Sequence, residues 1–334
     1  MKEIVAVRFS SLGDVAMLVP VFLSFHQSYP DYQIRLITRA RFAPIFSNLD
    51  FVRIEVIDPG QTKISLVKLI YFAIQLSRTR PIFILDLHDV LRTKVLRLIC
   101  RLYGSQISII DKGRSEKEAL INPSGDKSKW LKTTFQRYAD VFNTVGFSFE
   151  LQPIFLKKSL EKEDKLRVGI SPFAQHSSKE YSFYKMNELL SKLALLNNIE
   201  FYILGKGNRE KNLAEDIAGG IPNVQNLIGK MKFEEELKLI STFDLMISMD
   251  SGNGHLAANY GIPVLTLWGT THPKLGFGPY GQPLSNSVFP DAKTYPNLPV
   301  SVFGKCDDQN YIRAIDSINV DDIFNKVKEI LCLN

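Results

Sequence analysis

Between Leu245 and Thr271 the chain reads LMISMDSGNGHLAANYGIPVLTLWGTT, and few folds accommodate that order. Leu245–Met249 is a short apolar run, Asp250–Gly254 a polar turn, and His255–Tyr260 a stretch of helix formers that Gly261 and Pro263 end. A second apolar run follows to Trp268. The pattern predicts strand, tight loop, helix, strand. It places Asp250 at the carboxyl end of a strand, the position where open α/β sheets bind ligands. Backbone N–H groups at the following helix start favour phosphate, and Gly252 and Gly254 let a diphosphate approach the backbone. Asp and Ser are also ordinary helix caps, so the segment alone is equally consistent with a plain αβ connection.

The rest of the chain repeats the alternation. Strands are predicted at Ile4–Phe9, Gln33–Thr38, Val52–Ile57, Pro81–Leu87 and Ser105–Ile110. Helices are predicted over Asp14–Ser28, Ser65–Ser77, from the end of the fourth strand through Leu102, and over Trp130–Val145. After the charged stretch Lys157–Lys165, KKSLEKEDK, a second set begins: strands Arg167–Ser171, Glu200–Leu204 and Val224–Leu227, and helices Tyr184–Leu196, Asn208–Ala218 and Phe233–Ser241. Residues 270–312, rich in Gly, Pro and Asn, read as irregular, and Val320–Leu333 as an amphipathic helix. Such βα alternation implies parallel sheets covered on both faces. The expectation is α/β, with two Rossmann-like doubly wound domains, 1–156 and 166–319, facing across a cleft. Residues 157–165 are the expected linker, and 320–334 a helix packing back on the first domain. A chain of 334 residues is long enough for two such cores.

Charge separates the halves. Residues 1–156 hold 21 Lys and Arg against 14 Asp and Glu, whereas residues 157–334 hold 20 against 21. A basic first half fits an anionic partner or a solvated surface equally well. No apolar run spans a membrane, and Met1–Val7 has no signal-peptide pattern, so a cytoplasmic location is expected. Cys100, Cys306 and Cys332 are too dispersed for a disulfide framework or a zinc site, and no bound metal or cofactor is expected. Despite a pI near 9.0, no recognition-helix or RNP motif points to nucleic acid.

Three further strand ends carry polar residues. The first reads Arg8-Phe9-Ser10-Ser11-Leu12-Gly13-Asp14, which lacks the G-x-G-x-x-G dinucleotide fingerprint. Asp14, at the expected helix start, is either an acid stabilised by the helix dipole or a general base for a substrate hydroxyl. Ser171–Lys179 follows another strand, with Lys179 able to meet a phosphate. Gly205 and Gly207 follow the next, able to accept a base or ribose or simply to turn the chain. After Asp86-Leu87-His88, Arg92 and Lys94 are placed to meet an anionic acceptor or to solvate a helix. Solvation is preferred for Arg97.

Together these motifs resemble the ADP-heptose:lipopolysaccharide heptosyltransferase family, glycosyltransferase family 9. R-F-S-S-L-G-D-V at Arg8–Val15, D-S-G-N-G-H-L-A-A at Asp250–Ala258 and P-V-L-T-L-W-G-T-T at Pro263–Thr271 carry the resemblance most specifically. It implies a GT-B fold and an inverting, metal-independent transferase. The donor, ADP-heptose or a related nucleotide-diphosphate sugar, would be held by the second domain. A lipopolysaccharide core or similar anionic glycolipid would be held by the first, at the inner face of the cytoplasmic membrane. Asp14 matches the family's proposed base. Lys179, Asp250, Ser251, Gly252, Asn253 and His255, with Ser171, Gly205, Met231 and Thr271, fall on the donor side. Ser10, Ser11, Gly13, His88 and Arg92 fall on the acceptor side. The chain departs from the family pattern at Ala174, Gln175, Glu180–Ser182, Lys206–Asn208, Asn253 and Gly254, all around the donor. A different donor sugar, or a nucleotide-sugar binder without catalysis, is the alternative.

Overall fold

In the computed structural model, residues 2–57, 63–158 and 164–333 are described. The chain forms two compact units. The first comprises Met1–Lys112 with Thr133–Ile154, the second Gly113–Lys132 with Phe155–Asn334.

The first unit is built on five parallel strands: β1 (Lys2–Val7), β2 (Tyr32–Thr38), β3 (Val52–Val56), β4 (Phe83–Asp86) and β5 (Gln106–Ile109), in the order β3-β2-β1-β4-β5. The apolar runs are buried from both sides, as parallel strands require. One face carries α1 (Leu12–Ala16), α2 (Leu18–Ser28) and α6 (Thr134–Asn143). The other carries α3 (Lys63–Arg78) and α4 (Leu91–Leu102), whose Leu69, Ala73, Leu76, Leu96 and Cys100 close a core with Val5, Val7 and Ile84.

The second unit has six parallel strands: β6 (Leu166–Ser171), β7 (Ile199–Ile203), β8 (Val224–Asn226), β9 (Leu245–Met249), β10 (Val264–Leu267) and β11 (Ser287–Val288), ordered β11-β10-β9-β6-β7-β8. Its helices are α5 (Arg114–Ile121), α7 (Phe183–Leu193), α8 (Asn208–Ala218), α9 (Phe233–Ile240), α10 (Gly252–Ala258) and α11 (Val320–Ile330).

Several expectations are corrected. The expected helix Asp14–Ser28 begins at Leu12 and divides at Met17. Ser11 is its N-cap and Asp14 its third residue, because Asp14 reaches back to the Ser11 N–H in a capping box. Thr133 and Gln136 form another such box, so α6 begins at Thr134 rather than at Trp130.

Residues 113–132, expected in the first domain, belong to the second unit. There Leu120 and Leu131 pack with Leu275, the Lys117 ammonium lies 4.1 Å over the Phe277 ring, and Lys127 donates to the Pro299 carbonyl. The terminal helix α11, expected to pack back on the first domain, buries Val320, Ile323 and Val327 in the second unit's own core beside α7. Of the expected linker Lys157–Lys165, residues 159–163 lie outside the described residues.

Candidate functional site

Strand register brings the first set of candidates together. Val7 pairs with Asp86 at the ends of β1 and β4, so the loops that follow start side by side. The Phe9 N–H donates to His88 Nδ1 at 3.3 Å, and His88 Nε2 lies 3.2 Å from Ser10 Oγ. Accepting at Nδ1 leaves the proton on Nε2, so the neutral ring donates to Ser10. Burial, with the nearby Arg8 cation next in effect, pushes the His88 pKa down to about 3. His88 is therefore a neutral brace for the Ser10 loop.

Asp86 is buried and organises the same turn. It accepts the N–H groups of His88 and Asp89 at 3.0 and 2.8 Å and pairs with Arg97 at 2.9 Å. Arg97, expected to be solvated on the helix surface, instead links Asp86 to Asp89 through its guanidinium. Gly13 contributes its carbonyl to the turn that ends α1. Arg92 sits half-buried in the first turn of α4.

The residue that sequence reasoning passed over here is Arg8. Its guanidinium is buried and fully employed. Nε donates to the Ser10 carbonyl at 2.6 Å, Nη1 to the Leu87 carbonyl at 2.5 Å, and Nη2 pairs with Asp14 Oδ2 at 2.6 Å. Ser11 Oγ donates to the same carboxylate oxygen at 2.8 Å, and Tyr138 Oη donates to the Asp14 backbone carbonyl at 3.1 Å. A buried arginine must find such partners. The signal was therefore in the sequence: a cation at the end of an otherwise apolar strand.

In the second unit the parallel pairs Ser171–Ser248 and Leu267–Met249 align the loops after β6, β9 and β10. Asp250 consequently meets two residues distant in sequence. Lys179 Nζ lies 3.2 Å from its Oδ2, and Thr271 Oγ1 donates to the same oxygen at 2.7 Å. Both charged side chains are largely buried, at 12% and 11% exposure. Such a pair adds little net stability to a fold, so a structural role alone is a weak account of it. Ser251 Oγ lies 3.1 Å from Ser248 Oγ, and Asn253 Nδ2 donates to Ser171 Oγ at 3.1 Å. His255 is buried in α10.

Lys179 is held from behind by a residue in the long irregular stretch. Gly304, at φ +98°, lies against its aliphatic stem, where a Cβ would come within 2.8 Å of Cδ. Ser178 Oγ donates to the Gly304 carbonyl and lies 2.9 Å from Thr270 Oγ1. Ser301 Oγ accepts the Gly304 N–H at 2.9 Å. His272, stacked 4.6 Å from Phe289, accepts the Lys274 N–H and anchors the turn after Thr271. Burial lowers its pKa to about 4.

Two donor-side candidates stand apart from this cluster. Gly205 is packed between Glu210, Ile228 and Phe173 with no room for a Cβ. Met231 is half-buried just before α9. The departures from the family pattern are tied into the fold. Glu180 accepts the Ala174 N–H and a two-pronged contact from Arg209, and Tyr181 Oη donates to the Ile318 carbonyl at 2.8 Å.

Two units built on parallel sheets, each with a carboxylate–cation pair in the segments that follow its central strands, have the Rossmann-like α/β architecture of the GT-B fold. Residues 129–299, just over half the chain, match the model of glycosyltransferase family 9 (heptosyltransferase). The chain belongs to that family and is a glycosyltransferase. No curated protein sequence matches it.

Solved structures show the same fold. E. coli heptosyltransferase WaaC with ADP aligns over 98% of this chain and 99% of its own, with a TM-score of 0.73 and 18% identity. E. coli ADP-heptose lps heptosyltransferase II aligns over 99% of each chain, with a TM-score of 0.73 and 16% identity. A family 9 glycosyl transferase from Veillonella parvula DSM 2008 aligns over 99% of this chain and 97% of its own, with a TM-score of 0.77 and 14% identity. The motif at Arg8–Val15 lies outside the residues matched by the family model, within the span of these structural alignments.

Proposed function

We propose that the protein is an inverting glycosyltransferase that moves heptose from ADP-heptose to the core of a lipopolysaccharide or a similar anionic glycolipid. The observation that carries this is the Lys179–Asp250–Thr271 cluster, a buried cation and carboxylate at the strand ends of the family-matched unit.

In this reading Lys179 and the backbone of the Ser251–His255 loop receive the donor diphosphate, while Asp250 accepts hydrogen bonds from sugar hydroxyls. Asp14 takes the proton of the acceptor hydroxyl as its oxygen bonds to the anomeric carbon. The bond from that carbon to the phosphate oxygen breaks, and the electron pair leaves with the nucleoside diphosphate. Lys179 stabilises the charge developing there. A lysine and backbone donors supply this stabilisation without a divalent cation. Arg8 and Ser11 position the Asp14 carboxylate, and Ser10 with His88 shapes the acceptor side. The basic residues of the first unit suit an anionic acceptor at the inner membrane face.

A transferase using another donor sugar is the second reading. Asn253 tied to Ser171, and Glu180 tied to Arg209, favour it because they change the surroundings of the donor loop. A thermal-shift panel of ADP-, UDP- and GDP-sugars separates the two. At about 100 times its dissociation constant the true donor stabilises the fold by roughly 2.7 kcal/mol. ADP-heptose is expected to give the largest shift, and a larger one from another nucleotide sugar removes it as the donor.

A further inference from the structure

We propose that the outer face of α3 and α4 docks on an anionic lipid bilayer. The two helices pack side by side on one face of the first sheet, and Leu69, Ala73, Leu76, Leu96 and Cys100 point inward. Their opposite faces are also apolar. Val67 and Tyr71 on α3, and Leu91, Leu98 and Leu102 on α4, are each 60–79% exposed, with Ile70 beside them. Isolated exposed apolar side chains are ordinary. These instead recur at helical spacing: 67, 70 and 71 on one helix, 91, 98 and 102 on the next. The two helices are in contact, so the two apolar stripes lie on neighbouring helices.

Charge identifies the occupant. Residues 63–80 and 91–103 contain eight Lys and Arg and no Asp or Glu. Lys68 and Arg78 on α3, and Lys94 and Arg101 on α4, are exposed around the apolar side chains. The helices α5, α6, α7, α8, α9 and α11 all carry at least one acid. Of the cations on α3 and α4, Arg97 is paired with Asp86 and Asp89, but an apolar stripe rimmed by exposed cations is the chemistry of a helix lying in the headgroup layer of an anionic membrane. Among the described residues no helix is long and apolar enough to cross one, so the contact is peripheral.

The patch also lies beside the acceptor-side loop. Leu91 follows His88, whose ring contacts Ser10, by three residues. A bilayer under α4 would thus present a lipid-borne hydroxyl on the Asp14 side. This purpose rests on the glycolipid reading above; the docking itself does not.

The test is flotation of the full chain with vesicles, without donor or acceptor. Wild-type protein is expected to float with phosphatidylglycerol–phosphatidylcholine vesicles and not with phosphatidylcholine alone. Binding should weaken as salt rises. Leu98→Glu/Leu102→Glu and, separately, Lys68→Glu/Arg101→Glu are expected to lower the bound fraction at least fivefold at unchanged Tm. Since all four side chains are exposed, at least one pair keeps the fold. Wild-type protein that ignores anionic vesicles, or folded variants that bind as wild type does, overturns the proposal. So does a variant that only turns a dimer into a monomer, which assigns the face to a second copy of this chain. None of these results bears on sugar transfer, so failure of the docking and failure of the heptosyltransferase reading remain distinguishable.

Discussion

Each unit carries a carboxylate held by a cation in the segments after its central strands, but the two pairs are built differently. Asp14 is bound by Arg8, a rigid fork whose other nitrogens are spent on the Ser10 and Leu87 carbonyls. Asp250 is bound by Lys179, a flexible stem with a single charged end, steadied by Gly304 and shared with Thr271. The fork fixes a carboxylate in one orientation, as a base that must meet one hydroxyl requires. A lysine can swing from its carboxylate to an arriving phosphate. On the proposed reading, the difference teaches that the first site is preorganised, whereas the second would exchange partners when a donor arrives.

The largest expected effect comes from breaking the rigid side. Arg8→Met strands two carbonyls and a carboxylate, and removing one partner of a buried ionic network costs about 3 kcal/mol. Denaturant unfolding should show that loss, with turnover falling in step. Arg8→Lys restores charge but not the fork, and is expected to recover less than half of either. On the flexible side, Lys179→Met should weaken donor binding by roughly 10- to 100-fold, the worth of a charge-assisted hydrogen bond of about 1.5–3 kcal/mol. Calorimetric titration with the nucleoside diphosphate reads this directly. Retained affinity would place the diphosphate elsewhere.

Gly304→Ala sharpens the comparison further. The left-handed backbone there and the crowded Lys179 stem predict a destabilisation of about 1–2 kcal/mol. Donor affinity should fall several-fold while catalysis with saturating donor persists. An unchanged donor affinity would separate Gly304 from the function of Lys179.

The smallest effect is one of pH. Burial of Glu236, in the first turn of α9, raises its pKa from 4.5 to about 7. Between those values the unfolded chain has lost a proton that the folded chain retains, so stability declines as pH rises through that window. Glu236→Gln should remove that decline from the unfolding free energy measured between pH 4.5 and 7.

The strands were legible because parallel strands, buried on both faces, read as apolar runs between turn residues. β1, β4, β6 and β9 fall where those runs stand, and so do the carboxylates that follow them. What escaped depended on register and on distant packing. Arg8 gains its meaning only once Val7 pairs with Asp86 and the Leu87 carbonyl comes within reach. Gly304 lies in a stretch without periodicity, and only the folded chain shows that it touches Lys179. The octapeptide RSEKEALI carries too few apolar residues to announce α5, which packs within the second unit through Leu120 and Lys117. The split of the first helix at Met17, and with it the place of Asp14 in a capping box, was likewise set by local hydrogen bonds that spacing does not reveal.

The central claim is a division of labour between the two carboxylate–cation pairs. It is tested by measuring donor affinity and sugar transfer together in Asp14→Asn and Lys179→Met, with ADP-heptose and a lipopolysaccharide-core acceptor. Asp14→Asn is expected to bind donor as wild type does and to lose transfer by about 10²- to 10⁴-fold, the contribution of a general base. Lys179→Met is expected to lose donor affinity. Transfer at wild-type rate by Asp14→Asn, or loss of donor binding in that variant alone, would contradict the account.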